Sequence, residues 1–425
     1  MRSSTVIVAA ICAASAAQGA GPYTLRFNQL EGKPYASIEP DAAGQCGPAH
    51  VIFRALGETP EQDRVIREID TAGGPARFVL PRARGARAIG VSIAAVADGK
   101  QQPAREYRTL PPPARLEKFH GDPSWKEPAD WQAYWDRAKA ELAQTPMNPR
   151  ITEVKDKATD TGRLYRVELD SIGGVRIVCW YTAPKGVDVL GGHADRSYPA
   201  VQTMPGYASA QGPDDRTAKG FITLAVNPRG HGASNEFWNL PANHMEYNIY
   251  DPEKYYYRSA YMDCLRAMQF LRSRPEVDGA RIGTEGSSQG GAFSLATAAL
   301  DGHTAACAAY VPFLSDFPTA VRCCTNGGFA NLRARFEHPE TPEGAKLRKT
   351  VSYVDVRFMA ARIHCPTIIT VAQMDRVCPP PSSFADFNCL GTKDKTLFLD
   401  PPADHELTDN MVKAVHAFLE KKLGS

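Results

Sequence analysis

The feature that most constrains the fold is a short glycine-rich segment in the second half of the chain. Gly286-Ser287-Ser288-Gln289-Gly290 has the spacing Gly-x-Ser-x-Gly, in which a serine occupies a sharp turn between a strand and a helix. Small residues are needed there because the turn brings backbone segments close together. The residues from Arg281 to Thr284 favour a strand, and those from Gly291 to Leu300 favour a helix. Ser288 is therefore a candidate nucleophile, although the motif alone would also fit a flexible loop.

Strand and helix patterns alternate from Ile151 onward. Amphipathic helices are predicted at Tyr261–Arg272 and Asp409–Leu423, and strands at Leu164–Leu169, Val175–Thr182, Ala200–Met204, Ile222–Val226, Arg281–Thr284, Cys307–Val311, Thr367–Ala372 and Lys395–Leu399. Such alternation is typical of a mostly parallel sheet flanked by helices. Together with the serine turn, it predicts the α/β-hydrolase fold.

A β-rich domain is predicted before this region, over residues 21–110. Apolar residues alternate there in short bursts, at His50–Phe53, Arg77–Leu80 and Ala88–Ile93, which favours a small β-sandwich-like domain. The segment contains no tryptophan, so a structural or oligomer-shaping role is favoured over a sugar-binding module. Pro111-Pro112-Pro113 predicts a stiff linker. Beyond it, Trp131, Trp135, Ala138 and Leu142 share one face of a helix predicted over 130–142, which we expect to dock onto the hydrolase domain, residues 111–425.

The first 20 residues have the composition of a secretory signal peptide. One arginine is followed by a short apolar run from Thr5 to Ala17 and by small residues, with cleavage expected after Ala16 or Gly19. The alternative is an N-terminal anchor, but the run is shorter than the roughly 20 residues that span a bilayer. The sequence therefore predicts a secreted or periplasmic protein without a membrane span.

Length, charge and cysteine content exclude several classes of protein. The 425 residues exceed what one core of about 250–300 residues usually contains, so two domains are expected. The net charge of +2 and the absence of a Lys/Arg-rich run make nucleic acid an unexpected partner. One of the ten cysteines, Cys12, lies in the leader, and the odd remainder argues against a disulfide scaffold. No Cys-x-x-Cys or His/Cys spacing indicates zinc.

A serine nucleophile needs a base, and the base needs an orienting carboxylate, which in this fold follow in the order serine, acid, histidine. His405 lies in a loop just after the last predicted strand, whereas His416 is expected to pack in the apolar face of the last helix. Asp375 follows the strand predicted at Thr367–Ala372 and is preferred as the acid. Asp404 is the alternative, but it adjoins His405 and would need an awkward turn to reach the same ring.

Acyl transfer also requires two donors for the developing oxyanion. One is expected to be the backbone N–H of Gln289, the residue after the nucleophile. The other is expected to be the backbone N–H of Tyr207, because Pro205 and Gly206 directly follow the strand predicted at Ala200–Met204. A simple Pro-Gly turn without this role is the alternative.

From about Trp131 to Leu423, the chain resembles the acetyl xylan esterase and cephalosporin C deacetylase family of carbohydrate esterases. Separate stretches carry the resemblance: Tyr134-Trp135-Asp136 through Pro149, Pro205-Gly206-Tyr207, Arg229-Gly230-His231-Gly232, Tyr255-Tyr256-Tyr257-Arg258 with Asp263, Gly286-Ser287-Ser288-Gln289-Gly290, Met374-Asp375 with Cys378-Pro379-Pro380, and His405-Glu406. Together they are far more specific than the serine motif alone.

The resemblance implies a nucleophilic Ser288 with Asp375 and His405 as its partners, and oxyanion donation by Tyr207 and Gln289. It also implies removal of acetyl groups from sugar hydroxyls, commonly on short xylo-oligosaccharides, and from other small acetyl esters. No metal or organic cofactor is implied. Members of the family are often oligomeric, so the resemblance implies that this protein can form a homo-oligomer.

Two departures from the family pattern stand out. The family usually has Arg-Gly-Gln where this chain has Arg229-Gly230-His231, which puts the packing near the site in doubt more than the chemistry. Residues 21–110 lie outside the resemblance and could block the usual assembly.

Two other functions compete with the deacetylase. A secreted peptidase of the prolyl-oligopeptidase kind also has a β-rich N-terminal domain, but its propeller needs about 40–50 residues for each of several blades. A non-catalytic glycan-binding protein on the same fold is the other alternative, and the presence of Ser288, Asp375 and His405 argues against it.

Overall fold

The computed structural model describes the later part of the chain almost continuously and the first part as separate strands. The described residues are 5–8, 23–30, 33–40, 49–56, 64–71, 76–79, 88–97, 100–101, 105–109, 116, 118–192, 196–324, 327–373, 375–400 and 403–424.

Eight strands between residues 23 and 109 form two antiparallel sheets. The first has the order β2-β3-β6, and the second has the order β5-β4-β7-β8 with β9 paired to β7. These strands are β2 (Tyr23–Leu30), β3 (Lys33–Pro40), β4 (Ala49–Leu56), β5 (Arg64–Thr71), β6 (Ala76–Val79), β7 (Ala88–Ala97), β8 (Lys100–Gln101) and β9 (Arg105–Thr109). Each of the three alternating bursts in the sequence overlaps one of these strands.

The predicted leader is described over four residues only. Thr5–Val8 forms strand β1, which pairs in parallel with the strand Lys395–Asp400 at the edge of the large sheet. The rest of the predicted leader, including both expected cleavage points, lies outside the described residues.

A ten-stranded sheet with the order β1-β18-β17-β16-β15-β13-β14-β12-β11-β10 forms the centre of the later region. Its strands are β10 (Arg150–Glu153), β11 (Gly162–Ser171), β12 (Val175–Pro184), β13 (Tyr198–Met204), β14 (Ile222–Asn227), β15 (Val277–Ser287), β16 (Ala306–Tyr310), β17 (Thr367–Ala372) and β18 (Lys395–Asp400). Neighbours from β1 through β14 run parallel, and β12, β11 and β10 add antiparallel pairs. The mostly parallel sheet predicted from the alternating pattern is confirmed.

Nine α-helices accompany this sheet in the part of the chain that the structure describes. They are α1 (Trp131–Gln144), α2 (Tyr256–Ser273), α3 (Gln289–Asp301), α4 (Phe317–Cys323), α5 (Gly327–Phe336), α6 (Pro342–Val354), α7 (Val356–Ala360), α8 (Pro380–Cys389) and α9 (Asp409–Leu423). None of the described helices combines the length and apolar character required to cross a membrane.

Aromatic packing anchors helix α1 as its sequence pattern predicts. Trp131, Trp135, Ala138 and Leu142 are each no more than 1% exposed, and both indole N–H groups donate to the Tyr353 carbonyl. The predicted amphipathic helix before the serine motif begins earlier than expected, at Tyr256. Its first turn is buried, so burial rather than amphipathic period determines where this helix begins.

The sheet brings several loops to one edge. Strands β13, β15, β17 and β18 are parallel, so the loops that follow them leave the sheet at their common carboxyl end, where α/β proteins bind ligands. These are the loops that contain Tyr207, Ser288, Asp375 and His405.

Candidate active site

Ser288 lies at a strained turn between β15 and α3. Its φ of 57° and ψ of −117° are unusual for a residue with a side chain, and such strain is typical of functional positions. The turn is held from both sides, because the Ser288 N–H donates to the Tyr310 carbonyl at 2.9 Å and its carbonyl accepts from the Phe313 N–H at 3.0 Å. Ser288 is thus held by the end of strand β16 and by the residues just after it.

Close backbone contact explains the two glycines of the motif. A Cβ atom on Gly286 would lie 2.4 Å from the carbonyl carbon of Gly290, and one on Gly290 would lie 2.4 Å from the Met204 carbonyl oxygen. Larger residues would therefore force apart the serine turn and the end of strand β13. The close approach of Gly290 to Met204 also brings the loop after Met204 next to the serine turn.

Ser288, His405 and Asp375 form a hydrogen-bonded chain. The Oγ of Ser288 lies 3.0 Å from Nε2 of His405, and Nδ1 of His405 lies 2.8 Å from Oδ2 of Asp375. The other oxygen of Asp375 accepts from the backbone N–H groups of Val377 and Cys378, at 2.8 and 2.7 Å. The aspartate side chain is fully buried, whereas the histidine side chain is 27% exposed. The arrangement suits a serine activated by an oriented base.

The two alternative partners named from the sequence contact other residues. Asp404 forms an ion pair with Arg376, with 2.5 Å between its Oδ2 and the guanidinium, and it accepts from the His405 backbone N–H. His416, expected to pack in the apolar face of helix α9, instead lies with Nε2 3.5 Å from Oε1 of Glu285 and is 40% exposed. The expected apolar packing is therefore wrong, because the ring is partly exposed and lies against a carboxylate.

The two residues expected to donate to the oxyanion are close to Ser288 through different elements. Gln289 is the first residue of helix α3, so its N–H points out of the helix N-terminus without an intrahelical acceptor. Tyr207 follows strand β13, and the loop containing Gly206 lies against the serine turn. The Tyr207 side chain is 38% exposed, and its ring contacts Phe313 and His244 at centroid distances of 6.3 and 5.0 Å.

Cys378 lies next to Ser288, a contact that the sequence did not reveal. Its Sγ lies 3.8 Å from the Ser288 Oγ, and the side chain is 2% exposed. Burial, followed by the nearby Asp375 carboxylate, raises the pKa of this thiol well above its usual value. Its position in the sequence after Asp375 was visible, but the approach to Ser288 depends on tertiary structure.

One cluster of side chains in the described part of the chain has the composition of a metal site. Ligand atoms of Asp375, Cys378 and His405 all lie within 4.8 Å of one another. The carboxylate and imidazole are already hydrogen-bonded to each other, and the thiol is held in its neutral form. Since metals bind thiolate rather than thiol, the residues fit a proton-transfer chain better than an ion site.

His231 stands where the family resemblance implied a glutamine, and it is buried beside Gln289. Its Nε2 lies 2.7 Å from the side-chain Nε2 of Gln289, and its ring is 1% exposed. The neighbouring Arg229 forms a two-pronged ion pair with Asp263 at 2.8 Å. The doubt that the sequence raised about packing is resolved by this contact, because the histidine provides an acceptor for the glutamine amide.

Comparison with known protein families gives one extended match. The acetyl xylan esterase family (AXE1) matches residues 112–423. This range begins at the predicted proline-rich linker and ends with helix α9.

Individual proteins similar to this chain include an acetyl esterase and two acetyl xylan esterases. The acetyl esterase Axe7A of Xylanibacter ruminicola is 29% identical over 317 residues, which cover 71% of this chain and 69% of that protein. The structure of an acetyl xylan esterase from Paenibacillus sp. R4 has 30% identity and a TM-score of 0.67, covering 74% of this chain and 100% of that one. Acetyl xylan esterase 1 from Thermoanaerobacterium sp. JW/SL YS485, at 24% identity, has the same fold, with a TM-score of 0.64 over 74% of this chain and 99% of its own.

Proposed function

Because this chain belongs to the acetyl xylan esterase family, it is a carboxylic ester hydrolase, and we propose that Ser288, His405 and Asp375 remove acetyl groups from small acetylated sugars. The observation that carries the proposal is the chain of contacts from Ser288 Oγ to His405 and on to Asp375, at 3.0 and 2.8 Å. The neutral imidazole accepts the serine proton, and the carboxylate fixes its tautomer.

The reaction proceeds through an acetyl-enzyme. As His405 takes the proton, Ser288 Oγ attacks the acetyl carbonyl, and the tetrahedral oxyanion accepts from the N–H groups of Gln289 and Tyr207. The sugar oxygen leaves with the proton from His405. The same imidazole then activates water, which releases acetate from Ser288 and restores the hydroxyl.

One side of the Ser288 hydroxyl is occupied, which favours a small acyl group. The buried thiol of Cys378 lies 3.8 Å from Ser288 Oγ. The acyl-bearing sugar is expected to enter from the exposed side of His405 and Tyr207. Acetylated xylo-oligosaccharides are the proposed substrates, because two of the similar structures are acetyl xylan esterases and these oligosaccharides are fragments of acetylated xylan.

We also propose that the protein is exported and loses its first residues as a signal peptide. The short apolar run after Arg2 supports this, as does the cleavage context near Ala16 and Gly19. In the mature protein, strand β18 would then form the edge of the large sheet that β1 otherwise covers. N-terminal sequencing of the secreted protein should begin at Ala17 or Ala20, and an intact N-terminus would contradict the proposal.

We propose a domain boundary at residues 110–111, between the β-rich region and the hydrolase domain. Strands before it pair only with one another among the described residues, apart from β1, and the family match begins at residue 112. Limited proteolysis should cut near Pro111-Pro112-Pro113 and leave the later fragment folded, because linkers between compact domains are the preferred sites of cleavage.

Acyl chain length provides the test of the proposed activity. Hydrolysis of p-nitrophenyl acetate should exceed that of the butyrate and octanoate esters, and acetate should be released from acetylated xylo-oligosaccharides. A preference for the octanoate ester would contradict the acetyl assignment. Cleavage of peptide substrates without ester hydrolysis would favour the peptidase alternative.

A further inference from the structure

Two buried histidines, His231 and His244, contact the residues proposed as oxyanion donors. The rings of His231 and His244 have centroids 4.3 Å apart, and the residues are 1% and 5% exposed. Neither ring is needed to accept the Ser288 proton, because Nε2 of His405 already lies 3.0 Å from the Ser288 Oγ. A pair of buried titratable rings in contact with Gln289 and Tyr207 therefore needs another explanation.

Each histidine contacts one of the two oxyanion donors. His231 Nε2 lies 2.7 Å from Nε2 of Gln289, and the Tyr207 ring meets the edge of His244 at a centroid distance of 5.0 Å. The histidine pair thus links Gln289 on helix α3 with Tyr207 in the loop after strand β13. These two donors reach the site from separate elements, and no bond along the chain sets their spacing.

Hydrogen bonding assigns the proton on His231. Burial, and after it the neighbouring His244, lowers the pKa of His231 to about 3, so its ring is neutral at physiological pH. Gln289 Nε2 can only donate, which makes Nε2 of His231 the acceptor. Nδ1 then carries the proton and donates toward Tyr256 Oη at 3.0 Å and the Arg229 carbonyl at 3.3 Å. Every polar atom of the ring is satisfied.

The Gln289 side chain is held at both of its polar atoms. Tyr257 donates from its hydroxyl to Oε1 at 2.8 Å, while Nε2 donates to His231. Both anchors are buried, and Gln289 itself is fully buried. A side chain fixed at two points also fixes its Cα, and with it the peptide plane that carries the Gln289 N–H. The carbonyl of the same peptide accepts from the Phe313 N–H, so the Gln289 side chain adds a second restraint on the peptide that follows the strained Ser288 backbone.

We propose that His231 is a positioning residue for ester hydrolysis, which with His244 holds the Gln289 and Tyr207 N–H groups at the spacing that the oxyanion needs. The inference rests on the proposed function. Its mechanism is indirect, since His231 acts through the Gln289 side chain. Loss of the acceptor should therefore impair the transition state more than substrate binding.

The test compares variants that keep or remove the acceptor. His231→Leu should lower kcat by about 10- to 100-fold with KM changed less than about threefold, somewhat below the effect of losing an oxyanion donor outright. His231→Gln retains an acceptor and should restore kcat to within about threefold of the wild type. His303→Leu, at an exposed histidine, is the matched control and should leave kcat unchanged. Rates are expressed per active site, counted by complete fluorophosphonate labelling.

A double-mutant cycle tests whether His231 acts through Gln289. Gln289→Met removes the amide but keeps the backbone N–H, and it should lower kcat about as much as His231→Leu. The two changes together should cost no more than either alone, because they break the same contact. If His231→Leu does not fold, Gln289→Met and His231→Gln decide the matter. Near-normal kcat in Gln289→Met would overturn the proposal, as would additive effects.

The outcomes separate this inference from the function on which it rests. Absence of acetyl ester hydrolysis in the wild type would contradict the proposed function itself. Normal hydrolysis in the wild type together with unchanged kcat in His231→Leu would overturn only the positioning role. Equal losses of kcat in His231→Gln and His231→Leu would also overturn it, because kcat would then not depend on the hydrogen bond from Gln289 to residue 231.

Discussion

The Sγ of Cys378 lies 3.8 Å from the Oγ of Ser288, and the backbone N–H of Cys378 donates to Asp375 at 2.7 Å. One residue therefore contacts both ends of the proposed proton-transfer chain, through its side chain at the nucleophile and through its backbone at the acid. Its size limits the space beside the serine, whereas its backbone contact is independent of the side chain.

Substitutions at Cys378 should separate these two contacts. Cys378→Ala keeps the backbone donor and removes only the thiol, so acetyl ester hydrolysis should stay within about fivefold of the wild type. Cys378→Met extends the side chain in a packed site, where added methylene groups force side chains to shift at a cost of about 1–3 kcal/mol. Its kcat should fall at least about tenfold. Comparable rates for both variants would show that Cys378 does not limit the site.

The identity of the acid can be tested with two aspartates. Asp375→Asn should lower kcat about 10⁴-fold, because the amide would favour the wrong imidazole tautomer of His405. Asp404→Asn is the matched control, since Asp404 pairs with Arg376 and contacts His405 only at its backbone. Its kcat should change less than about fivefold, in line with the small contribution of an exposed ion pair. The reverse pattern would make Asp404 the acid.

Breaking the buried ion pair between Arg229 and Asp263 should lower the free energy of unfolding more than breaking an exposed pair. Asp263 is fully buried and accepts two side-chain bonds from Arg229 at 2.8 Å. Asp263→Asn leaves the guanidinium without its countercharge and should lower the free energy of unfolding by about 3–5 kcal/mol. Arg137→Gln breaks an exposed pair with Glu253 and should cost less than about 1 kcal/mol. Urea unfolding of both variants measures the difference, and equal losses would contradict it.

Three buried carboxyl groups should make stability depend on pH. Asp316, Asp355 and Asp386 are fully buried, with Arg357 as a nearby cation. Burial raises the pKa of Asp355 to about 6 and that of Asp386 well above its ordinary value. A folded-state pKa above the unfolded one means that the stabilising contribution is complete below the unfolded pKa of about 4 and is lost as pH rises through the folded value.

Asp386→Asn should reveal this dependence directly. The variant keeps an acceptor for the Ser315 hydroxyl, which lies 2.5 Å from Oδ1, and it carries no charge to bury at high pH. Its melting temperature relative to the wild type should therefore rise between about pH 5 and about pH 8. A difference that stays constant or falls over that range would contradict the assigned direction of the pKa shift. Ser315→Ala is a control that removes the hydrogen bond without removing the charge.

Local patterns in the sequence predict much of the fold. The buried parallel strand Thr367–Ala372 is a run of β-branched residues ending in alanine, which favours a strand, and its predicted and observed bounds coincide. The helices between 317 and 360 were not predicted. Helices α4 and α7 have only seven and five residues, too few to show a helical period, whereas Phe329, Leu332 and Phe336 of α5 do share one face, a signal that the prediction missed. The edge strand β10, Arg150–Glu153, was also missed, since a half-exposed strand of four residues gives little signal.

The candidate site was predictable where chain order constrains it. The order of serine, acid and histidine led to Asp375 and His405, and the structure brings both together with Ser288. The contact between His231 and Gln289 joins residues 58 positions apart. Such a contact depends on how two strands and a helix pack, so local sequence could identify His231 as unusual but could not reveal its partner.

Acetate release by Ser288→Ala tests most directly whether Ser288 is the nucleophile. Wild-type protein and the variant are incubated at equal concentration with p-nitrophenyl acetate and with acetylated xylo-oligosaccharides, after thermal unfolding has shown that both are folded. We expect acetate release by the wild type and essentially none by the variant, because the variant lacks the proposed nucleophile. Turnover by Ser288→Ala near the wild-type rate would contradict it.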